Sequence, residues 1–348
     1  MATNRNRDNR ISYDADEARE AARARLAARR GEHAQPSSPN RRAKSQPIDP
    51  RVVIVAAAVL VAIVAAVFLV RSCAAPAEVA EPADDQAAAE QQAEPEPEQA
   101  DFSNLPEGLD ADVVSGLTAR ADAGDERVAH IVNNAAALAV DGAAEQAKLL
   151  KLAAIDPEAI DFVLNYPDRY PQQAGEPLSG GVEKGTIPLL MQWDMRWGYV
   201  RYCGAALGNT GCAPTSLAMV YAGLTGKTDK TPADLAALAE SLGYAVDGEG
   251  TVGDFLPAAA PDLGLICEEF WPSSQYLRTY LESGYVVIVN VGPGDFTTAG
   301  HFFVATGLAD DGSVRINDPY SSVRSAQTWD ADRIANQSIA MYAFKIAS

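Results

Sequence analysis

The second half of the chain is predicted to fold as an α+β domain, with helices first and an antiparallel sheet after them. Apolar residues recur at helical spacing over residues 212–224, whereas β-branched and aromatic residues dominate four runs between 285 and 346. The stretch Ala309-Asp-Asp-Gly-Ser313 between two of those runs is typical of a hairpin turn, which joins antiparallel strands. This order of elements is that of an α+β fold.

We place this domain at residues 185–348, after a connector at 169–184. Capping residues and glycines indicate where its remaining helices begin and end. A helix over 232–242 is capped by Thr231 and ends at Gly243, and a further helix covers 273–282. About 160 residues are enough for one well-buried core. The four predicted strands are 285–291, 301–308, 313–317 and 339–346.

The first half of the chain contains nineteen consecutive uncharged, apolar residues at 52–70. At about 1.5 Å per residue a helix of this run spans roughly 28 Å, close to the hydrocarbon thickness of a bilayer, which predicts one transmembrane helix. A cleaved signal peptide is the alternative. Its basic region would be unusually long, and its apolar core exceeds the usual length of about 7–15 residues.

The charges on the two sides of this run predict its orientation. Residues 1–51 carry 12 Lys+Arg against 7 Asp+Glu, whereas no Lys or Arg lies between Arg71 and Arg120. Basic residues stay on the cytoplasmic side, so we expect a disordered basic cytoplasmic tail at 1–51, an acidic Ala/Glu/Pro linker at 71–100 and the rest outside the cell membrane. The whole chain carries a net charge of −19, and the part after residue 71 carries −25, which argues against nucleic acid as a partner.

Residues 101–168 are predicted to form a small all-α module. Apolar residues recur there at three- and four-residue spacing, and Asp156-Pro157 is typical of an N-cap followed by proline at the first helical position. His130 lies on one of these helices with no acid or thiol placed to use it. We therefore interpret His130 as a surface or core histidine.

One cysteine, one histidine and one aspartate follow in the order expected for a nucleophile, its base and the base's orienting acid. Cys212 begins an apolar helix in Gly211-Cys-Ala-Pro-Thr-Ser216, where the helix dipole favours a thiolate. His301 begins one predicted strand and Asp318 ends the next, so the hairpin between them brings the two side chains together. Asn317 is the alternative to Asp318, but it should point to the opposite face.

The same chemistry needs a donor for the oxyanion. Gln192 lies upstream of the nucleophile in Leu189-Leu-Met-Gln-Trp-Asp-Met-Arg-Trp197. Its side-chain amide and the backbone N–H of Cys212 would together form an oxyanion hole.

Two further cysteines lie in the same domain. Cys203 and Cys267 could pair as a disulfide outside the membrane, Cys203 could form a redox link with Cys212, and two free or structural cysteines are the third alternative. No cofactor is expected. No metal site is expected either, because the domain has three cysteines, one histidine and no tight ligand spacing.

Four motifs of residues 185–348 carry a family resemblance. They are Pro188-Leu-Leu-Met-Gln-Trp-Asp-Met-Arg-Trp-Gly198, Gly211-Cys-Ala-Pro-Thr-Ser-Leu-Ala-Met-Val220, Gly292-Pro-Gly-Asp-Phe-Thr-Thr-Ala-Gly-His301 and Asn317-Asp-Pro319. Together they resemble the papain-like peptidases of the double-glycine-leader (bacteriocin-processing) type, in the branch found as extracytoplasmic proteins of Gram-positive bacteria. The resemblance implies a papain-like fold with Cys212 as nucleophile, His301 as base, Asp318 as orienting acid and Gln192 as oxyanion donor.

Leader-cleaving members of that type lie on the cytoplasmic side of an ABC transporter. This chain has no Walker motif and is predicted to face outward. The difference argues against leader cleavage as its role.

The sequence therefore predicts a membrane-anchored, outward-facing thiol hydrolase. We expect a cysteine peptidase that acts through a Cys–His–Asp triad and an acyl-enzyme on a peptide or protein substrate. Two alternatives stay open: a peptidoglycan amidase or endopeptidase of the same chemistry, acting on cell-wall peptide, and a non-catalytic binding or scaffold ectodomain with an unreactive Cys212. The sequence does not determine the oligomeric state.

Overall fold

The computed structural model describes residues 98–178 and 180–347, which fall within one compact unit. The predicted tail and transmembrane helix, and all but the end of the predicted linker, lie outside the described residues. In the part of the chain that the structure describes, no helix is both long enough and apolar enough to cross a membrane.

The first described segment, residues 101–170, is helical. Asp125 caps its second helix by accepting from the N–H of Arg127, and Asp156 caps the turn that leads into its fourth helix, with Pro157 directly after it as predicted. The α-helices are α1 (Ala111–Asp122), α2 (Glu126–Asn133), α3 (Ala143–Ile155), α4 (Ile160–Leu164) and α5 (Tyr166–Arg169), with 3-10 turns at Phe102–Asn104, Ala135–Leu138 and Pro157–Ala159.

This helical segment shares its hydrophobic core with residues 191–206 of the segment that follows. Leu117 and Phe162 from the helices are buried in one cluster with Trp193 and Tyr199. The rings of Phe162 and Tyr199 stack with centroids 4.7 Å apart, and the Tyr199 hydroxyl donates to the Phe162 carbonyl at 3.0 Å. Because apolar burial is the main stabilising term, the helical segment and residues 191–206 stabilise each other through this shared core.

The cysteine-bearing helix follows a short hairpin of β1 (Arg201–Tyr202) and β2 (Ala205–Ala206) and the turn of helix α6 (Leu207–Thr210). Helix α7 (Cys212–Thr225) is buried over most of its length, which explains why its apolar residues run all round it. It ends at Gly226, whose φ of 75° lies in the left-handed region that glycine adopts without strain. The predicted helix, residues 212–224, is confirmed.

Helix α8 (Pro232–Ser241) packs against α7 and begins at the predicted cap. Thr231 Oγ1 accepts from the N–H of Asp234, and the Asp234 carboxylate accepts from the N–H of Thr231, which satisfies two donors at the helix start. Small elements then lead to the sheet: the hairpin of β3 (Ala245–Val246) and β4 (Gly250–Thr251), helix α9 (Phe255–Ala259) and a 3-10 turn at Pro261–Leu263.

The central sheet has six antiparallel strands. They are β5 (Leu265–Phe270), β6 (Val286–Val291), β7 (His301–Leu308), β8 (Val314–Asn317), β9 (Thr328–Trp329) and β10 (Ser338–Ile346). Their order across the sheet is β5-β10-β6-β7-β8-β9. The four predicted strands are confirmed to within one residue at each end, whereas β5 and β9, the two edges, were not predicted.

Helices cover both faces of the sheet. They include α10 (Ser274–Glu282), α11 (Ser322–Ser325) and α12 (Ala331–Ala335). Ile288 and Val304 pack on the side of α7, whereas Val287 and Phe303, one residue away in each strand, pack with α10 and α12. On the α7 side, Ser216 Oγ donates to the Phe302 carbonyl at 3.4 Å, which joins the first turns of α7 to the start of β7.

Candidate active site

Cys212 is the first residue of α7, and its side chain is partly exposed. Gly211 before it approaches the backbone closely: a Cβ there would lie 2.6 Å from the Leu207 carbonyl oxygen, so a larger residue does not fit. Pro214 occupies the first turn, where its missing N–H removes no helical hydrogen bond. The thiol is therefore accessible at the positive end of the helix dipole.

His301 and Asp318 meet at one end of the sheet. His301 begins β7, and Asp318 follows directly after β8, in which Asn317 pairs with Val304. Nε2 of His301 lies 2.8 Å from Oδ1 of Asp318, and both side chains are buried. The hairpin thus brings the two residues together as predicted. Nδ1 is the ring nitrogen that Asp318 does not contact, and Cys212 is one of the groups that raise the pKa of His301.

Burial and charge act in opposite directions on this pair. Burial lowers the pKa of His301, but the charge and hydrogen bond of Asp318, helped by Cys212, outweigh it and raise the pKa to about 9. Burial also raises the pKa of Asp318, but the His301 imidazolium and the Arg324 guanidinium outweigh it and hold that pKa well below its usual range. At neutral pH the pair is therefore an imidazolium and a carboxylate.

Two further donors hold the Asp318 carboxylate. Its Oδ1 also accepts from the backbone N–H of Tyr320 at 2.8 Å, and its Oδ2 accepts from Nε of Arg324 at 2.6 Å. These contacts replace the water that a fully buried carboxylate has lost. Sequence reasoning missed Arg324, because nothing in Ser322-Val-Arg-Ser325 distinguishes it from a surface arginine.

Gln192 is buried between the segments that carry the other site residues. Its backbone N–H donates to the Pro319 carbonyl at 2.7 Å, next to Asp318. Its side-chain Nε2 donates to the Gly208 carbonyl at 2.8 Å, four residues before Cys212. One N–H of the amide thus fixes the side chain in place. The role of Gln192 as an oxyanion donor stays a prediction.

Asn317 takes no part in the His301 contact. Its Nδ2 donates to the carbonyls of Ile187 and Pro188 at 3.1 and 3.0 Å. It therefore points away from the imidazole, as predicted, and ties β8 to the segment that leads to Gln192.

Every cysteine that the structure describes is a free thiol. Neither a disulfide between Cys203 and Cys267 nor a link between Cys203 and Cys212 is present. Burial raises the pKa of Cys203 and of Cys267 to about 12, so both are protonated at neutral pH. Within residues 98–178 and 180–347, no group of three or more potential ligands could hold a metal ion.

His130 has an acidic neighbour that the sequence interpretation missed. The side chain is exposed, and its Nδ1 lies 3.3 Å from a carboxylate oxygen of Glu98. The contact joins α2 to the residues before the first helical turn. No local sequence pattern predicts it, because the two residues are 32 positions apart.

The arrangement around His301 combines a cysteine thiol at a helix start, an imidazole and a buried carboxylate. Asp318 accepts a hydrogen bond from the Nε2–H of His301, which leaves Nδ1 as the ring nitrogen for the Cys212 thiol. A cysteine in this setting can attack a carbonyl carbon while the imidazolium supplies a proton to the leaving group.

Comparison with known proteins shows which family model and which solved structures this chain resembles. Residues 185–344 match the family model described as the Peptidase_C39 like family. One similar solved structure is the peptidase domain of Streptococcus ComA, a bifunctional ABC transporter involved in a quorum-sensing pathway, at 22% identity over 47% of this chain and 98% of that chain, with a TM-score of 0.34.

A second similar structure is a double-glycine-motif protease from an AMS/PCAT transporter in complex with the leader peptide. It is 18% identical over 51% of this chain and 100% of that chain, with a TM-score of 0.31. The chain has no significant match among curated proteins.

Proposed function

We propose that the protein is a cysteine peptidase that cleaves peptide bonds by means of Cys212, His301 and Asp318, because residues 185–344 match the model of the Peptidase_C39 like family. Cys212 is the nucleophile, His301 transfers the proton, and Asp318 keeps the imidazole oriented and charged. The observation that carries this assignment is the 2.8 Å contact between His301 Nε2 and Asp318 Oδ1 beside a cysteine that begins a helix.

In the first half-reaction the Cys212 thiolate attacks the carbonyl carbon of the scissile bond. A bond forms between Sγ and that carbon, and the π electron pair moves to the carbonyl oxygen. When the tetrahedral intermediate collapses, the C–N bond breaks and the His301 imidazolium gives its Nδ1 proton to the leaving amine. The amine fragment leaves, and a thioester remains on Cys212.

In the second half-reaction water releases the acyl group. Nδ1 of His301 takes a proton from water as the water oxygen attacks the thioester carbon. The C–S bond then breaks, the acid fragment leaves, and the thiolate and imidazolium are restored. Asp318 stays ionised throughout, because its part is to stabilise the imidazolium.

Two donors are proposed for the oxyanion. The backbone N–H of Cys212 belongs to the first turn of α7, where N–H groups have no acceptor within the helix. The second amide N–H of Gln192 is the other donor, since Gly208 accepts from the first. Both would strengthen their hydrogen bonds as charge develops on the substrate oxygen.

We also propose that a single helix at residues 52–70 holds this domain outside the cell membrane. The uncharged run, the basic residues before it and the acidic linker after it support this orientation. The substrate is then a peptide or protein outside the membrane, cell-wall peptide included.

Site-resolved alkylation of the full chain in detergent tests the catalytic assignment without a known substrate. Iodoacetamide is expected to label Cys212 rapidly at pH 6, where an ordinary thiol with a pKa of about 8.5 reacts slowly. In His301→Ala the rate is expected to fall by about tenfold or more, because the imidazolium that stabilises the thiolate is lost. Mass spectrometry of the Cys212 peptide measures the rate.

Cys203 and Cys267 are the internal controls of this experiment. Burial keeps both protonated, so the folded protein should label them slowly at pH 6. Slow labelling of Cys212, or equal rates in wild type and His301→Ala, would contradict the assignment and favour a non-catalytic ectodomain.

A further inference from the structure

The turn after Asp318 and the helix α11 hold this aspartate through both its backbone and its side chain. The N–H of Asp318 donates to Ser325 Oγ at 2.8 Å, and the N–H of Ser321 donates to the Asp318 carbonyl at 3.3 Å. Nε of Arg324 donates to the carboxylate at 2.6 Å. The orientation of the carboxylate towards His301 therefore depends on where α11 lies.

Helix α11 is too short to hold its own position. It has four residues, Ser322–Ser325, and an isolated helix of this length is not stable in water. Its position must come from contacts with the rest of the protein. On one side, Nε1 of Trp329 donates to the Arg324 carbonyl at 3.1 Å.

Asp156 makes the contact at the start of α11. The backbone N–H of Ser322 donates to Asp156 Oδ2 at 2.6 Å, and Ser322 Oγ donates to Asp156 Oδ1 at 2.8 Å. Asp156 belongs to the helical segment, 166 residues before Ser322. The contact thus joins the helical segment to the element that carries Arg324 and Ser325.

The burial of Asp156 exceeds what its capping role needs. As a cap it accepts from the N–H of Glu158 at 3.1 Å, which is a contact that an exposed aspartate makes equally well. Yet Asp156 is fully buried, and a buried carboxylate is costly unless hydrogen bonds replace its water. The two bonds from Ser322 supply that replacement, so the carboxylate and α11 stabilise each other.

From this chain of contacts we propose that Asp156 is a positioning residue for the peptidase site, acting on Asp318 through Ser322 and α11. The inference rests on the proposed catalytic role of Asp318. Asp156 does not touch the reacting atoms. It fixes the start of α11, α11 fixes the Asp318 carboxylate through Arg324 and Ser325, and the carboxylate fixes the His301 imidazole. The helical segment thus contributes to the orientation of the catalytic groups.

Two substitutions test this inference in the full chain. Asp156→Asn puts an amide N–H group where the contact needs an acceptor, and Ser322→Ala removes only the hydroxyl bond and keeps the backbone N–H. Cys212 alkylation at pH 6 is expected to slow by about tenfold in Asp156→Asn and by roughly threefold in Ser322→Ala, because small displacements of a catalytic group are costly. The pH at which labelling becomes fast should rise in both variants.

Gln146→Ala is the matched control. Gln146 is also buried in the helical segment, but its Nε2 donates to the Ala135 carbonyl at 2.8 Å and has no part in the contact with α11. This variant should lower the midpoint of thermal unfolding and leave the pH dependence of Cys212 labelling unchanged. If the role of Asp156 is purely structural, Asp156→Asn should likewise lower the midpoint of thermal unfolding and leave the pH dependence of Cys212 labelling unchanged.

The outcomes separate this inference from the catalytic assignment. Slow labelling of Cys212 in wild type at pH 6 contradicts the catalytic assignment itself. Fast labelling in wild type with an unchanged pH profile in both Asp156→Asn and Ser322→Ala overturns the positioning role alone. If Asp156→Asn does not fold, Ser322→Ala decides: an unchanged profile overturns the role, and a shifted profile supports it.

Discussion

The carboxylate of Asp318 lies between two cations, the imidazolium of His301 at 2.8 Å and the guanidinium of Arg324 at 2.6 Å. These three groups carry a net charge of +1 in a setting with little water. Arg324 adds its positive charge on the side of the carboxylate away from the imidazole and so helps to hold Asp318 in its ionised form.

The raised pKa of His301 makes stability depend on pH. Its folded pKa of about 9 lies above the value of about 6.5 for an exposed imidazole. The stabilisation by the ion pair is thus fully present below pH 6.5 or so and is lost as the pH rises through about 9. In a Cys212→Ala background, the free energy of unfolding from urea titrations should fall over this range. Asp318→Asn should remove that fall, because the imidazolium loses its charged partner.

The exposed pair of His130 and Glu98 provides the control for this measurement. Glu98→Gln removes the acidic partner of a histidine that water reaches, so the pH dependence should be unchanged. If the free energy of unfolding of Asp318→Asn falls between pH 6.5 and about 9 as much as that of its Cys212→Ala parent, a group other than His301 causes the fall.

At the scale of elements, the helical segment and the cysteine-bearing segment meet at Gly208. This residue of α6 packs directly against the ring of Phe162 in α4, and a Cβ at position 208 would lie 2.5 Å from the ring carbon Cζ. Its carbonyl accepts from the Gln192 amide. The lack of a side chain at Gly208 thus lets α4 approach the segment between Gln192 and Cys212.

Gly208→Ala is expected to lower the free energy of unfolding by about 1–3 kcal/mol, because the added methyl group overpacks a filled core. Phe162→Leu in this background should recover part of the loss, so the two substitutions should couple in a double-mutant cycle. Gly307→Ala is the matched control, since a Cβ there meets no atom within 4 Å. Urea titrations of the wild type, both single variants, the double variant and Gly307→Ala give the free energies of unfolding. Strictly additive effects of the substitutions at Gly208 and Phe162 would contradict the packing argument.

How much of these elements the sequence predicts depends on the range of the interaction. His301 begins β7 and Asp318 directly follows β8, and a short turn joins these two strands, so a local turn signal is enough to predict that the residues meet. Asp156 and Ser322 are 166 residues apart, and no periodic pattern links them. Their contact, and with it the role of α11, follows from the tertiary fold alone.

The missed strand β5 has a different physical reason. Leu265–Phe270 contains the consecutive glutamates Glu268 and Glu269, which break the alternation of apolar and polar residues that identifies a strand. The strand lies at the edge of the sheet, where exposed charged side chains are tolerated and discourage pairing with other chains. Edge strands are for this reason harder to predict than the β-branched runs at the centre.

At the scale of the whole molecule, charge separates the two ends of the chain. Residues 1–71 carry 13 basic and 7 acidic residues, a net charge of +6, whereas the remainder carries −25. The apolar run at 52–70 lies at this boundary. This asymmetry is the basis for the proposed orientation, because basic flanks are retained on the cytoplasmic side.

Protease protection in a bacterial host tests that orientation. The full chain with a tag at each end is expected to fractionate with membranes, and protease added outside spheroplasts should remove the C-terminal tag and leave the N-terminal tag intact. Val61→Arg should reduce insertion, since a charge at the helix centre costs about 2.5–3.5 kcal/mol. Recovery of the unsubstituted chain in the soluble fraction, or protection of the C-terminal tag, would contradict the proposal.

The strand β10 is the last described strand along the chain, yet it lies in the middle of the sheet, between β5 and β6. Its Tyr342 and Phe344 are buried on one face, and its Met341 and Ala343 are buried on the other. A nascent chain that contains Cys212 but not yet residues 338–346 therefore lacks the strand that completes the packing on both faces of the sheet. The fold around Cys212 is thus expected to form only after the ribosome has released residues 338–346.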